Sequence, residues 1–136
     1  MFKVAIVEDS IKDFTLLKSY LEQYEKENNI EFNIQCFENG IRFLDKFSAN
    51  YDIIFMDIDM PYMNGLEVSK KIREIDKTVV LIFVTNLSQY AVNGYEVEAL
   101  DYIVKPISYF NFSIKIQRAI NRLNNTFDIK INIKTK

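Results

Sequence analysis

The sequence predicts an α/β fold in which one parallel sheet of five strands carries five helices over its two faces. Three features lead to it. Short apolar runs alternate with segments of helical period almost from the first residue. The strongest runs are apolar at consecutive positions, as strands covered on both faces must be. Five strand and helix units follow one another without a repeat or a low-complexity segment.

FKVAIV (2–7) is broken only by Lys3 and reads as the first buried strand. Ser10 and Asp13 then form an S-x-x-D helix start, and Ile11, Phe14, Leu17, Leu21 and Tyr24 recur every three or four residues to about Asn28. FNIQCF (32–37) sets Phe32, Ile34 and Cys36 against Asn33 and Gln35, the alternation of an edge strand with one wetter face. Cys36 is expected there as a small core residue. Asn39 and Gly40 open a second helix with Ile41, Leu44 and Phe47 inward, and DIIFMD (52–57) is the third strand. After the turn pair Asn64-Gly65, Val68, Ile72 and Ile75 mark a third helix. VVLIFVT (79–85) is the strongest buried-strand signal. LSQYAVNGY (87–95) is the short, weakly amphipathic fourth helical segment, and ALDYIV (99–104) is the fifth strand. Pro106 and Ser108 introduce a last helix with Phe112, Ile116, Ala119, Ile120 and Leu123 inward. In FDIKINIKTK (127–136), Phe127, Ile129, Ile131 and Ile133 alternate with polar residues, which is strand periodicity. Residues 1–125 are therefore expected to form one domain, with 126–136 a linker or the first strand of a further one.

At 136 residues and 49% hydrophobic content, the chain has the size of one domain with one full core. A formal net charge of −2, with 26% charged residues, supplies no electrostatic footprint for nucleic acid. The single cysteine excludes an internal disulfide, and the lack of histidine excludes Ser-His-Asp and Cys-His mechanisms within the chain. Chemistry must run on carboxylates, hydroxyls and amines. No apolar stretch approaches a membrane span, and MFKVAIVEDS meets acids too soon for a signal peptide, so a cytoplasmic protein is expected.

The segment IIFMDIDMPYMNG (53–65) drives a buried run into Asp57 and follows it with Asp59. Three readings compete for it: a phosphoryl-accepting nucleophile, a turn cap, or the D-x-D pair of a phosphohydrolase. The parallel sheet decides where to look, because ligands sit at the rim formed by the C-terminal strand ends. Those ends supply Glu8-Asp9, Asp57, Thr85 and Lys105. Three crowded carboxylates repel one another unless a cation sits among them, and hard oxygen ligands suit Mg²⁺. An Asp beside that ion can attack phosphorus, with Lys105 neutralising the transferred oxygens and Thr85 bonding the new group.

VEDS after the first strand, DIDMPYMNG after the third, FVTN after the fourth and DYIVKP around the fifth together resemble the response-regulator receiver domain of bacterial two-component systems, over about residues 2 to 124. The resemblance implies a flavodoxin-like (CheY-like) sheet of order 2-1-3-4-5. It implies that Asp57 is the phosphoacceptor, that Glu8, Asp9, Asp57 and the backbone carbonyl of Asp59 hold Mg²⁺, and that Lys105 and Thr85 bind the phosphoryl group. Thr85 and Tyr102 would be the switch pair, and Lys105-Pro106 is a candidate cis peptide. The implied partners are a sensor histidine kinase as donor and a second copy, through the fourth helix, the fifth strand and the last helix, once phosphorylated. DIDMP, TN and QYAVNGYEVEALDYIVKP are similar to receivers that precede a LytTR-type DNA-binding domain. DNA would then be contacted only through an output domain beginning near FDIKINIKTK, and no membrane is involved. No enzyme is implied beyond Mg²⁺-dependent self-phosphorylation and slow autodephosphorylation.

Two departures from the common receiver pattern stand out. Glu8 replaces an Asp with a longer arm, which would reach the ion through water, and Asn86 follows Thr85 where a small residue is usual. Lys115, Arg118 and Arg122 make a basic stripe, more simply a solvated face than a partner site. A haloacid-dehalogenase-type phosphohydrolase using Asp57 and Asp59 is the enzyme alternative; Pro61 stands where that family carries Thr or Val. A receiver-shaped domain that never takes phosphate would be expected to lack one of the acids or the lysine. A nucleotide or flavin binder would need a glycine loop, and the first loop, VEDSIKD, is acidic.

Overall fold

A computed structural model describes the backbone of residues 1–86 and 96–135, with side chains described as far as residue 125. The strands are β1 (Phe2–Val7), β2 (Phe32–Phe37), β3 (Ile53–Asp57), β4 (Val80–Thr85) and β5 (Asp101–Val104). The helices are α1 (Ile11–Asn28), α2 (Gly40–Lys46), α3 (Gly65–Ile75) and α4 (Tyr109–Thr135), the last corresponding to the fifth expected helix. The fourth expected helix, LSQYAVNGY, lies outside the described residues.

All strand pairs are parallel and the order is β2-β1-β3-β4-β5, so β1 and β3 lie centrally and the chain reverses direction across the sheet between them. Period-two alternation sends each central strand's side chains to two separate cores. Val4, Ile6, Ile53, Phe55, Ile82 and Val84 pack with α1 and α4 around Leu17, Leu21, Phe112 and Ile116. Ala5, Val7, Ile54, Met56, Leu81 and Phe83 pack with α2 and α3 around Phe43, Val68 and Ile72. Both faces are covered, which is why those strands read as unbroken apolar runs.

The helix starts follow local hydrogen-bond chemistry. Ser10, Asn39 and Asn64 cap α1, α2 and α3, each accepting the amide of the third residue beyond it: Asp13, Arg42 and Glu67. On α3, Arg73 Nε donates to the Val97 carbonyl (2.6 Å) and Nη2 to the Glu98 carbonyl (3.1 Å), which ties the approach to β5 against that helix.

Several expected positions move. Cys36 is exposed rather than core, because an edge strand has a neighbour on one side only. In α2 the buried anchor is Phe43, packed edge-on or tilted against Phe37, Phe47 and Tyr51, while Ile41 is 44% exposed. Ile11 and Ile75 sit at helix ends beyond the sheet's cover and are exposed. The strand expected from residue 127 is replaced by helix as far as Thr135. An alternating sequence also places apolar residues four apart, a spacing that a helix accommodates while pairing its own backbone groups.

Candidate functional site

Parallel pairing brings Glu8, Asp9, Asp57, Thr85 and Lys105 to one rim, each at or just past the C-terminal end of its strand. The anchors are strong, since every residue of β3 and of β4 is buried. Asp57 closes β3 at 4% exposure. The chain then folds back sharply: the Gly65 amide donates to the Ile58 carbonyl (2.9 Å), and the Asp59 amide donates to Asp57 Oδ1 (3.2 Å). A Cβ on Gly65 would lie 2.2 Å from the Asp57 carbonyl oxygen. Only glycine lets α3 start that close to the strand end, so Gly65→Ala is expected to displace Asp57 and cost about 2–3 kcal/mol. Urea denaturation checks this; wild-type stability in Gly65→Ala would show that the turn can yield.

Glu8 is buried to 3% exposure and held at both oxygens. Its Oε2 accepts the Ser10 amide (3.2 Å), and Oε1 lies 2.8 Å from Lys105 Nζ, an ion-pair contact without an aligned hydrogen bond. The long arm therefore folds back into the site. Lys105 Nζ also lies 2.9 Å from Asp13 Oδ2 and 3.5 Å from Asp57 Oδ2. One ammonium thus faces three carboxylates. The Lys105 amide donates to the Thr85 carbonyl (2.8 Å), which ties the ends of β4 and β5, and the Lys105-Pro106 peptide is cis.

Burial raises the Asp57 carboxyl to about 8, reinforced by the adjacent Glu8 carboxylate and opposed by Lys105 and the Asp59 amide. Burial acts to lower the Lys105 ammonium, but its close contacts with Glu8 and Asp13 and the charge of Asp57 outweigh this and hold it above the ordinary lysine range. With all three ionised, these carboxylates exceed the one ammonium by two negative charges. Glu8, Asp9 and Asp57 offer ligand oxygens that all lie within 4.8 Å of one another, and Glu8 Oε1 is buried with no hydrogen bond. An all-oxygen set with a solvent-facing member, Asp9, fits a hard divalent cation that keeps several waters.

The remaining expected residues divide. Thr85 is 1% exposed at the rim. Asp59 has an exposed side chain, and its amide is what meets Asp57. Tyr102 is 37% exposed, with Lys115 Nζ 6.0 Å from its ring centre. The basic stripe is partly neutralised within the chain: Lys115 (3.0 Å) and Arg118 both pair with Asp101 on β5. Asp13 and Gly65 are the site residues that sequence patterns alone do not single out. Asp13 counts there only as a helix-start acid, although in the first turn of α1 it lies beside the acidic loop.

Among known proteins, the chain matches the model of the response regulator receiver domain over residues 4–117. It is 42% identical over 96 residues to the sensory transduction protein LytT of Oceanobacillus iheyensis, covering 68% of this chain and 37% of that protein. It is 35% identical to the transcriptional regulatory protein ResD of Bacillus subtilis, covering 98% of this chain and 54% of ResD. The chain thus spans about half, or less, of these relatives' length. In fold it is similar to the REC domain of AraT, a response regulator from Geobacillus stearothermophilus (TM-score 0.80, 23% identity, 92% of this chain and 97% of that one). It is also similar to the response regulator TrrA of Thermotoga maritima, solved in complex with Mg(2+)-BeF (TM-score 0.70, 30% identity, 88% and 99%).

Proposed function

The chain belongs to the response regulator receiver domain family, and from that premise we propose that Asp57 is its phosphoacceptor, loaded by a sensor histidine kinase or a small phosphodonor. One observation carries this: a carboxylate fixed by a wholly buried strand, with two further carboxylates within 4.8 Å and an ammonium at 3.5 Å. An Asp57 Oδ attacks phosphorus, the bond from phosphorus to the donor's nitrogen or oxygen breaks, and its electron pair leaves with the donor. The product is an acyl phosphate on Asp57. Glu8, Asp9, Asp57 and the Asp59 carbonyl would hold Mg²⁺, which when bound neutralises the transferred oxygens and fixes the attacking carboxylate. Lys105 shifts from its carboxylate partners onto the phosphoryl oxygens, and the Thr85 hydroxyl bonds the new group. The raised Asp57 carboxyl gives loading a pH dependence: cation binding must displace its proton, so cation affinity rises with pH toward about 8.

The output reading rests on the same premise. Rearrangement at Thr85 and Tyr102 would change the surface of the segment before β5, β5 itself and α4, and bring two copies together there. The similarity to LytT, and to ResD, a transcriptional regulatory protein, supports an output domain after about residue 125, LytTR-like, through which alone DNA would be bound, in the cytoplasm. Among the described residues no helix is long and apolar enough to cross a membrane. Among the described residues the Asp59 carboxylate faces solvent, which does not favour substrate turnover by it. Incubation with acetyl phosphate and Mg²⁺ followed by intact mass tests the whole reading; a wild-type protein that gains no phosphoryl mass refutes it.

A further inference from the structure

Taking the phosphoacceptor reading of Asp57 as its basis, we propose that Asp13 is a positioning residue for the reaction. Its carboxylate competes with the phosphoryl group for the Lys105 ammonium and thereby shortens the life of the phosphorylated state. The distances motivate it: Lys105 Nζ lies 2.8 Å from Glu8 and 2.9 Å from Asp13, but 3.5 Å from Asp57. The amine that must meet the transferred oxygens is therefore held more closely by the two acids that are not phosphorylated.

The two competitors differ. Glu8 belongs to the three-carboxylate cluster, so a cation bound there offsets its pull on Lys105. Asp13 lies outside that cluster, so a cation bound among Glu8, Asp9 and Asp57 would not draw on its carboxylate and would leave its pull on Lys105 to compete. Its side chain is also diverted from helix capping. In an S-x-x-D start the acid ordinarily reaches back to the cap residue's own amide. Here the Ser10 amide goes to Glu8 Oε2, and α1 is capped by Ser10 accepting the Asp13 backbone amide. The Asp13 carboxylate is left to Lys105, and removing it leaves the cap intact.

Asp13 is 27% exposed at its side chain, so solvent screens the pair and the effect is a modulation rather than a switch. Wild type, Asp13→Asn, Asp13→Ala and Asp13→Glu are loaded with acetyl phosphate at saturating Mg²⁺, the donor is removed, and phosphoryl loss is followed by intact mass. Asp13→Asn and Asp13→Ala are expected to hold the phosphoryl group about two- to fivefold longer, while Asp13→Glu, which restores the contact, stays near wild type. A purely structural role would not be rescued by charge in this way. Unchanged or shorter lifetimes in Asp13→Asn and Asp13→Ala, or an Asp13→Glu lifetime as long as theirs, overturn the proposal. A wild type that never loads instead overturns the phosphoacceptor reading beneath it, so the two failures are distinct.

Discussion

Asp57→Asn is expected to abolish phosphoryl uptake from acetyl phosphate while raising the stability of the metal-free protein. The loss follows from chemistry: an amide at that strand end has no anionic oxygen with which to attack phosphorus. The gain follows from electrostatics, because the substitution removes one of two buried acids that share a single ammonium. Burial first, then Glu8, raises the folded-state carboxyl of Asp57 from 3.8 to about 8. Between those values the folded state binds the more protons, so metal-free wild type should lose stability as pH rises through that window, with no further loss above it. Asp57→Asn should flatten this slope. Intact mass reads the first effect and thermal melting from pH 4 to pH 8, in chelator, reads the second. Phosphoryl mass retained on Asp57→Asn would move the acceptor elsewhere, and parallel melting profiles would show that the carboxyl is not strained by its surroundings.

Lys105→Met is expected to act in the opposite direction on the same cluster. Its side chain is 8% exposed and carries the positive charge facing Glu8, Asp13 and Asp57. Removing one partner of a buried ion pair leaves the others uncompensated, at a cost of about 3 kcal/mol or more, roughly 10 °C in Tm for a domain of this size. The carboxylates can recover that loss in two ways, by taking up protons or by binding a cation. Lys105→Met should therefore regain stability as pH falls and should gain more from added Mg²⁺ than wild type does. Phosphoryl uptake should slow as well, since nothing then neutralises the third side of the transferred group. Melting in chelator and in Mg²⁺ checks this; a metal-free Lys105→Met as stable as wild type would mean that the acids do not depend on this amine.

These opposite signs show why much of the site is legible in the amino-acid sequence. A carboxylate ending an apolar strand is locally unfavourable, and such a conflict between burial and charge marks function. Glu8, Asp57 and Lys105 announce themselves because each follows an apolar run and the parallel topology sends all such ends to one rim. Asp13 gives no such signal. It sits in an ordinary helix-start pattern, and what sets it apart is the partner its side chain chooses, 92 residues away in sequence at Lys105. Tyr102 illustrates the converse: strand periodicity places it on β5, but a half-exposed edge strand leaves its orientation to Lys115 and α4.

Apolar period, capping residues and strand ends are local properties, so the elements, their parallel arrangement and the identity of the groups at the rim can all be read along the chain. The alternation of β2 marks it as an edge, whereas the order that places β1 and β3 centrally is implied by the resemblance to receivers and is the order observed. Folding in three dimensions adds which acid the lysine holds, that Gly65 must lack a Cβ for Asp57 to stand where it does, that Cys36 faces solvent, and that the last helix continues to Thr135. The first three depend on what lies across space rather than along the chain: a distant carboxylate, a backbone pressed against a helix start, a missing neighbour at a sheet edge.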